Sequence, residues 1–418
     1  MTANQIQKKK PSEQQQQSKH TRLRDIENVL VLQGGGSLGA FACGAYKAFA
    51  KSKIHFDIVA GTSIGAINSA IIVGNKNHED HPEKDLEDFW LELSESTPSI
   101  IPDSYIWDFN YEKQHSFLRP IPSAPVNAAF FGISKMFEPR WNWSNMISDS
   151  KFFMPATWTY LYDHNELLGK TLDKYIDYKK LEPTAVSENT QKDKKSSSRL
   201  IVTAVDVLTA KHLIFDSAKM QIQRRHLLAS AAYPAYGFPW VEIEKDVYAW
   251  DGALMSNTPM RQVFKASPRN DKHVYVIENY PKIRKKLPSN RLEVEDRMRD
   301  IIFSDKTSYD IDIITKITRM IDLMDQMYDV VMEKSSSPST DTNNMSEKIK
   351  NIKKEYHEIV ENHGSEILSV HKISREVMEH PYPLKNADFS SKTIKDLITQ
   401  GMQKASDHLN NNNNQKIN

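Results

Sequence analysis

Residues 28–39 read NVLVLQGGGSLG and residues 56–65 read FDIVAGTSIG, and these two stretches decide the fold. Val29, Leu30, Val31 and Leu32 form an unbroken apolar run, the mark of a strand buried on both faces. Gly34, Gly35 and Gly36 stop it, and a helix-like, small-residue segment runs from about Ala40 to Ser52. Phe56 to Ala60 reads as a second strand, ended by Gly61 and followed by another helix from Ile64 to about Val73. Such close alternation is the pattern of a parallel α/β sheet.

Working outward, 82–96 is an amphipathic helix with Leu86, Phe89, Trp90 and Leu93 on one side. An irregular insert at about 98–165 is rich in proline and in large aromatics, among them Trp107, Trp141, Trp143, Phe152 and Phe153. It reads as core packing for a lid, or as an apolar pocket or a membrane-contacting surface, since Trp favours lipid interfaces. A helix at 165–178, a polar loop at 184–198, strands at 200–207 and 212–216, and a helix at 224–232 follow. A strand at 247–250 ends at Asp251, and 272–279 reads as the last strand.

Beyond it the chain is charged and helical. Ile313, Ile314, Ile317, Ile321, Met324, Met327, Tyr328 and Val331 keep helical spacing, and a second helix at 346–362 completes a hairpin. Asp312, Asp322, Asp325 and Asp329 on its polar side suit hairpin or dimer packing better than an anionic bilayer. The resulting plan has a disordered tail at 1–27, a catalytic domain at 28–266, a C-terminal strand and hairpin region at 267–403, and a disordered low-complexity tail at 404–418.

With 418 residues and 39% hydrophobic content, the chain can build a sizeable core. A net charge of +1 gives no reason to expect nucleic acid as partner. Cys43 is the only cysteine, which excludes an intramolecular disulfide and fits a reducing, cytoplasmic setting. No stretch has the roughly 20 apolar residues of a membrane span.

Three motifs carry chemistry. Gly61-Thr62-Ser63-Ile64-Gly65 fits a nucleophile elbow, with a strand before it and a helix after it. The turn would lift the Ser63 hydroxyl out of the sheet, over a helix N-terminus that favours developing negative charge. The second motif, Gly34 to Gly39, presents backbone amides to an anion, either a pyrophosphate or the oxyanion of a tetrahedral intermediate. A dinucleotide site wants an acid at the end of the second strand, but Asp57 lies at its start, which favours the oxyanion. In the third, Asp251-Gly252-Ala253, a carboxylate at a strand end can act as general base, although an Asx turn explains Asp-Gly equally. In a parallel sheet Asp251 and Ser63 would share the carboxyl edge.

These motifs, in this order, resemble the patatin-like phospholipase family over about residues 28–264, as does the lead-in Ala229-Ser230-Ala231-Ala232-Tyr233-Pro234. Two departures stand out, Gln33 where many members carry Asp and Leu38 where many carry Arg or Lys. The resemblance implies a three-layer α/β/α fold with a mainly parallel sheet and, here, a helical C-terminal appendage. It implies a lipid acyl hydrolase with a Ser63–Asp251 dyad and an oxyanion hole at Gly34, Gly35 and Gly36. Gly39, Gly61, Gly65, Gly252 and Ala253 belong to the motifs. No metal, cofactor or catalytic histidine is implied, and His55 at the start of the elbow strand points the wrong way. The partner is a lipid or other acyl ester, with peripheral membrane contact. A catalytically silent lipid-binding or scaffolding protein on the same fold is the alternative.

Overall fold

The computed structural model describes residues 25–100, 123–141, 158–183, 198–304, 307–335, 365–377 and 384–417, with helical residues inside 350–363. The expected tail over 1–24, the polar loop at 184–197, and Trp107, Trp143, Phe152 and Phe153 lie outside the described residues.

The two opening strands form as expected, β1 at Ile26–Leu32 and β2 at Ile58–Thr62, with helix α1 at Ala40–Lys51 after the first and α2 at Ile64–Val73 after the second. Helix α3 follows at Pro82–Glu95. A two-stranded ribbon, β3 at Glu138–Pro139 with β4 at Tyr162–Asp163, belongs to the insert. The main sheet is completed by β5 at Arg199–Asp206, β6 at His212–Asp216, β7 at Val241–Glu244, β8 at Val247–Asp251, β9 at Asp271–Glu278 and β10 at Ile367–Ser374. Its order is β10-β9-β1-β2-β5-β8-β7, with β6 also paired to β5.

Pairing is parallel from β10 through β9, β1 and β2 to β5, and antiparallel where β5 meets β6 and β8 and where β8 meets β7. Alternate residues of β1 explain its apolar run. Leu30 and Leu32 face the core under α1, α2 and α3, while Val29 and Val31 face a second core with Met260, Val263 and Phe264 of the helix Met260–Ala266. Ile311 and Ile314, at the start of the long helix Thr307–Ser335, pack on this second core. These are the three α/β/α layers.

The C-terminal region is more than an appendage. β9 pairs β1 on the side away from β2, and β10 pairs β9, so β1 lies inside the sheet. The last described element is a helix, Ser391–Ile417, which covers 404–417, a stretch where low complexity suggested disorder. Its buried Ile394, Ile398 and Ala405 join the main core, and a Cβ on Gly401 would lie 2.0 Å from the carbonyl of Phe41 in α1. Close packing on α1 thus holds the part of this helix from Ile394 to Ala405. Within the hairpin the rings of Tyr328 and Tyr356 stack at 5.2 Å.

Candidate active site

Ser63 stands between β2 and α2 at φ 58° and ψ −131°, a backbone conformation that non-glycine residues rarely adopt. The neighbouring glycines make the turn possible. A Cβ on Gly61 would lie 2.2 Å from the carbonyl oxygen of Gly65, and one on Gly65 would lie 2.3 Å from that of Leu32. Holding such a residue costs about 1–3 kcal/mol, so its surroundings must fix it. One restraint escaped the sequence reading. The Ser63 amide donates to the Ser230 hydroxyl at 3.0 Å, and that hydroxyl donates to the Thr203 carbonyl of β5 at 2.8 Å.

Asp251 reaches the same edge by a different route from the one expected. β8 is antiparallel to β5 and is not a neighbour of β2. It enters beyond the carboxyl end of β5 and pairs only with its last residues, Asp206 to Ala204, so that Asp251 stops opposite Ala204. Thr62, immediately before Ser63, is in register with Thr203. The register thus brings Ser63 and Asp251 to the same level, from strands roughly 10 Å apart.

The Asp251 side chain is buried. Its Oδ1 accepts the Ala253 amide at 2.8 Å, while Oδ2 has no partner at hydrogen-bond geometry. Burial raises its pKa to about 7, against the opposing pull of the Ser63 hydroxyl and the Ala253 amide. A hydroxyl close enough to lower the pKa yet not aligned for a bond is common where a catalytic contact tightens only around substrate. His55 is exposed before β2, at the end of that strand away from Ser63.

The glycine loop faces the pair. Gly36 has φ 59°, and a Cβ there would lie 2.3 Å from the Asn386 carbonyl. The Gly34 amide already donates to the Asn257 carbonyl at 3.3 Å. Gly35 and Gly36 line a cavity of 360 Å³ together with Ser63 and Asp251. Of the remaining motif residues, Ala253 lines it, whereas Gly39 and Gly252 serve close packing against Ile64 and the Thr203 carbonyl.

Part of the cavity lining is an apolar group of Ile67, Met136, Phe137, Tyr162 and Phe238. Rings of Phe137, Tyr162 and Phe238 lie 5.2–5.9 Å apart. Phe137 and Tyr162 come from the aromatic insert, whereas Trp141 packs on Tyr162 without lining the cavity. The lining also holds Tyr233, Tyr236, Tyr280 and Arg299, and Arg299 donates to Asn386 at 3.2 Å.

Several lining residues lie after Ala266, a contribution that the motifs could not reveal. Their anchorage is buried and charged. Lys385 sits 2.8 Å from Asp296 and 2.5 Å from Asp300, and Arg284 pairs with the same two carboxylates. The Lys385 carbonyl accepts from the Ser37 hydroxyl at 3.0 Å, which holds this turn on the glycine loop. Gln33 does similar work. It accepts the amides of Asn279 and Tyr280 and donates to Thr258 and to the Phe303 carbonyl. Among the described residues no three or more His, Cys, Asp or Glu side chains are grouped as a metal site would need.

The family model for patatin-like phospholipases matches residues 30–264. No curated protein matches the sequence. Among solved structures, VipD from Legionella pneumophila aligns over 92% of this chain and 67% of its own, at 12% identity and a TM-score of 0.37, too distant a likeness to carry an argument.

Proposed function

The chain belongs to the patatin-like phospholipase family, a family of lipid acyl hydrolases, and on that premise we propose that it cleaves carboxylic esters of lipids through a Ser63–Asp251 dyad. The observation that carries this reading is the meeting of a strained, exactingly braced Ser63 with a buried, under-bonded Asp251 at one wall of a largely apolar cavity. The Asp251 carboxylate takes the proton from the Ser63 hydroxyl as Oγ attacks the ester carbonyl. The oxyanion that forms faces the amides of Gly35 and Gly36. Gly36 opens a short 3-10 helix, whose leading amides find no intrahelical carbonyl. Gly34, its amide engaged by Asn257, supports the loop and gives no open donor. Collapse expels the alcohol, which recovers the proton from Asp251. Water then releases the acyl group with the same carboxylate as base.

The apolar group with Phe137, Tyr162 and Phe238 takes the acyl chain, and the part of the lining with Arg299 takes the polar part of the substrate. Hydrolysis of p-nitrophenyl esters and phospholipids by the wild-type protein, with Ser63→Ala alongside, tests this. Turnover is expected only from the wild type. Lipid binding without turnover by a folded wild-type protein would leave a silent lipid-binding role in its place.

A further inference from the structure

The segment 281–290 and the helix Arg291–Phe303 form one unit. Arg297 donates to the carbonyls of Pro281 at 3.3 Å and Lys282 at 2.8 Å, and Arg284 pairs with Asp296 and Asp300 of the helix. At about 100° per residue the helix has two unlike sides. Asp296, Asp300 and Phe303 share one side and are buried, and Phe303 lines the catalytic cavity. Val294, Met298, Ile301 and Ile302 share the opposite side and are 48%, 53%, 59% and 60% exposed. The preceding segment adds Ile283, 84% exposed, and Leu287, 90% exposed.

Single apolar residues scattered on a surface need no explanation, but several on one braced unit mark an interaction site. Its charge narrows the partner. Lys285 and Lys286 are exposed between Ile283 and Leu287. On the helix, Arg291 and Glu295 neutralise one another at 2.7 Å. The surface is therefore apolar with a positive edge.

We propose that this unit docks the protein on a bilayer that carries anionic headgroups. The lysines complement the surface phosphates while the apolar side chains enter the headgroup–acyl boundary. Continuity with the catalytic cavity also favours the membrane. Tyr280 precedes the segment, Phe303 ends the helix, and both are cavity wall, so docking brings the site to its substrate. The purpose of the docking rests on the hydrolase reading, but the binding can be measured without turnover.

The test uses full-length Ser63→Ala protein and vesicles of phosphatidylcholine with or without phosphatidylserine, read by co-sedimentation. Binding is expected on the anionic vesicles, weakened by salt. Both Lys285→Glu/Lys286→Glu and Ile283→Asp/Leu287→Asp should weaken it about ten-fold or more. In the active protein, the same double variants should hydrolyse a soluble short-chain ester at the wild-type rate. Absence of vesicle binding by the parent protein, or unaltered binding by both variants, would overturn the proposal. So would a parental dimer that both variants convert to monomer. If vesicle binding behaves as described and the wild type turns over no ester, the hydrolase reading fails and the docking surface stands.

Discussion

On the proposed dyad, Asp251 sets the pH dependence of turnover. A base must be ionised, and burial raises the Asp251 pKa to about 7, so activity should rise as pH passes through about 7. A histidine would titrate in nearly the same place, so the profile alone does not tell carboxylate from imidazole. Mutants do. Asp251→Asn should lower kcat about as far as Ser63→Ala, because a dyad acts as a unit, while His55→Ala should stay within about a few-fold of wild type. A folded but inactive His55→Ala would require a triad. The same carboxyl makes a stability prediction. Its folded pKa lies above the value of 3.8 for a free side chain, so its contribution is fully present below about pH 4 and is lost as pH rises through about 7. Asp251→Asn should therefore gain on wild type in denaturant midpoint at pH 8 relative to pH 5, by up to a few kcal/mol. An equal difference at both pH values would contradict a raised pKa. The nucleophile motif was legible because glycine spacing records steric demand directly. The bracing role of Ser230 was not, because one serine in a small-residue run carries no local mark of the distant amide it accepts from.

Elements explain why Asp251 could be found while its approach could not. Position in sequence shows that a strand ends there, but strand direction depends on which partner the segment meets, and β8 meets β5 in antiparallel fashion. Gln33 offers a related lesson. An Asp there could accept the Asn279 and Tyr280 amides, but it could not donate to the Phe303 carbonyl, so the departure fits a C-terminal helix docked on the end of β1. Gln33→Glu should cost about 2–4 kcal/mol by burying a charge and losing two donors, a change readable as a lower denaturant midpoint. The aromatic insert was legible as a pocket only in part. Phe137 lines the cavity, so Phe137→Ala should depress kcat/KM for long-chain esters much more than for acetate esters. Equal losses on both would assign Phe137 to folding instead.

The motif-bearing part and the C-terminal region share one sheet and one cavity. Without β9, β1 would be left as a bare apolar edge, and the cavity would lose Tyr280, Arg299, Phe303 and Asn386. A fragment of residues 25–266 should aggregate or stay unfolded by circular dichroism and size-exclusion chromatography. A folded, active fragment would show the C-terminal region to be dispensable. The C-terminal contribution to the cavity was hidden in the sequence because it comes from the end of β9, one helix and a turn with no motif of their own. Among the described residues no helix is long and apolar enough to cross a membrane. The central claim, an activated Ser63, is tested most directly by the intact mass of the protein after exposure to a fluorophosphonate. The wild type should gain one adduct, mapped to Ser63, while Ser63→Ala gains none and Asp251→Asn reacts far more slowly. No adduct on folded wild-type protein, or full labelling of Ser63→Ala, would contradict it.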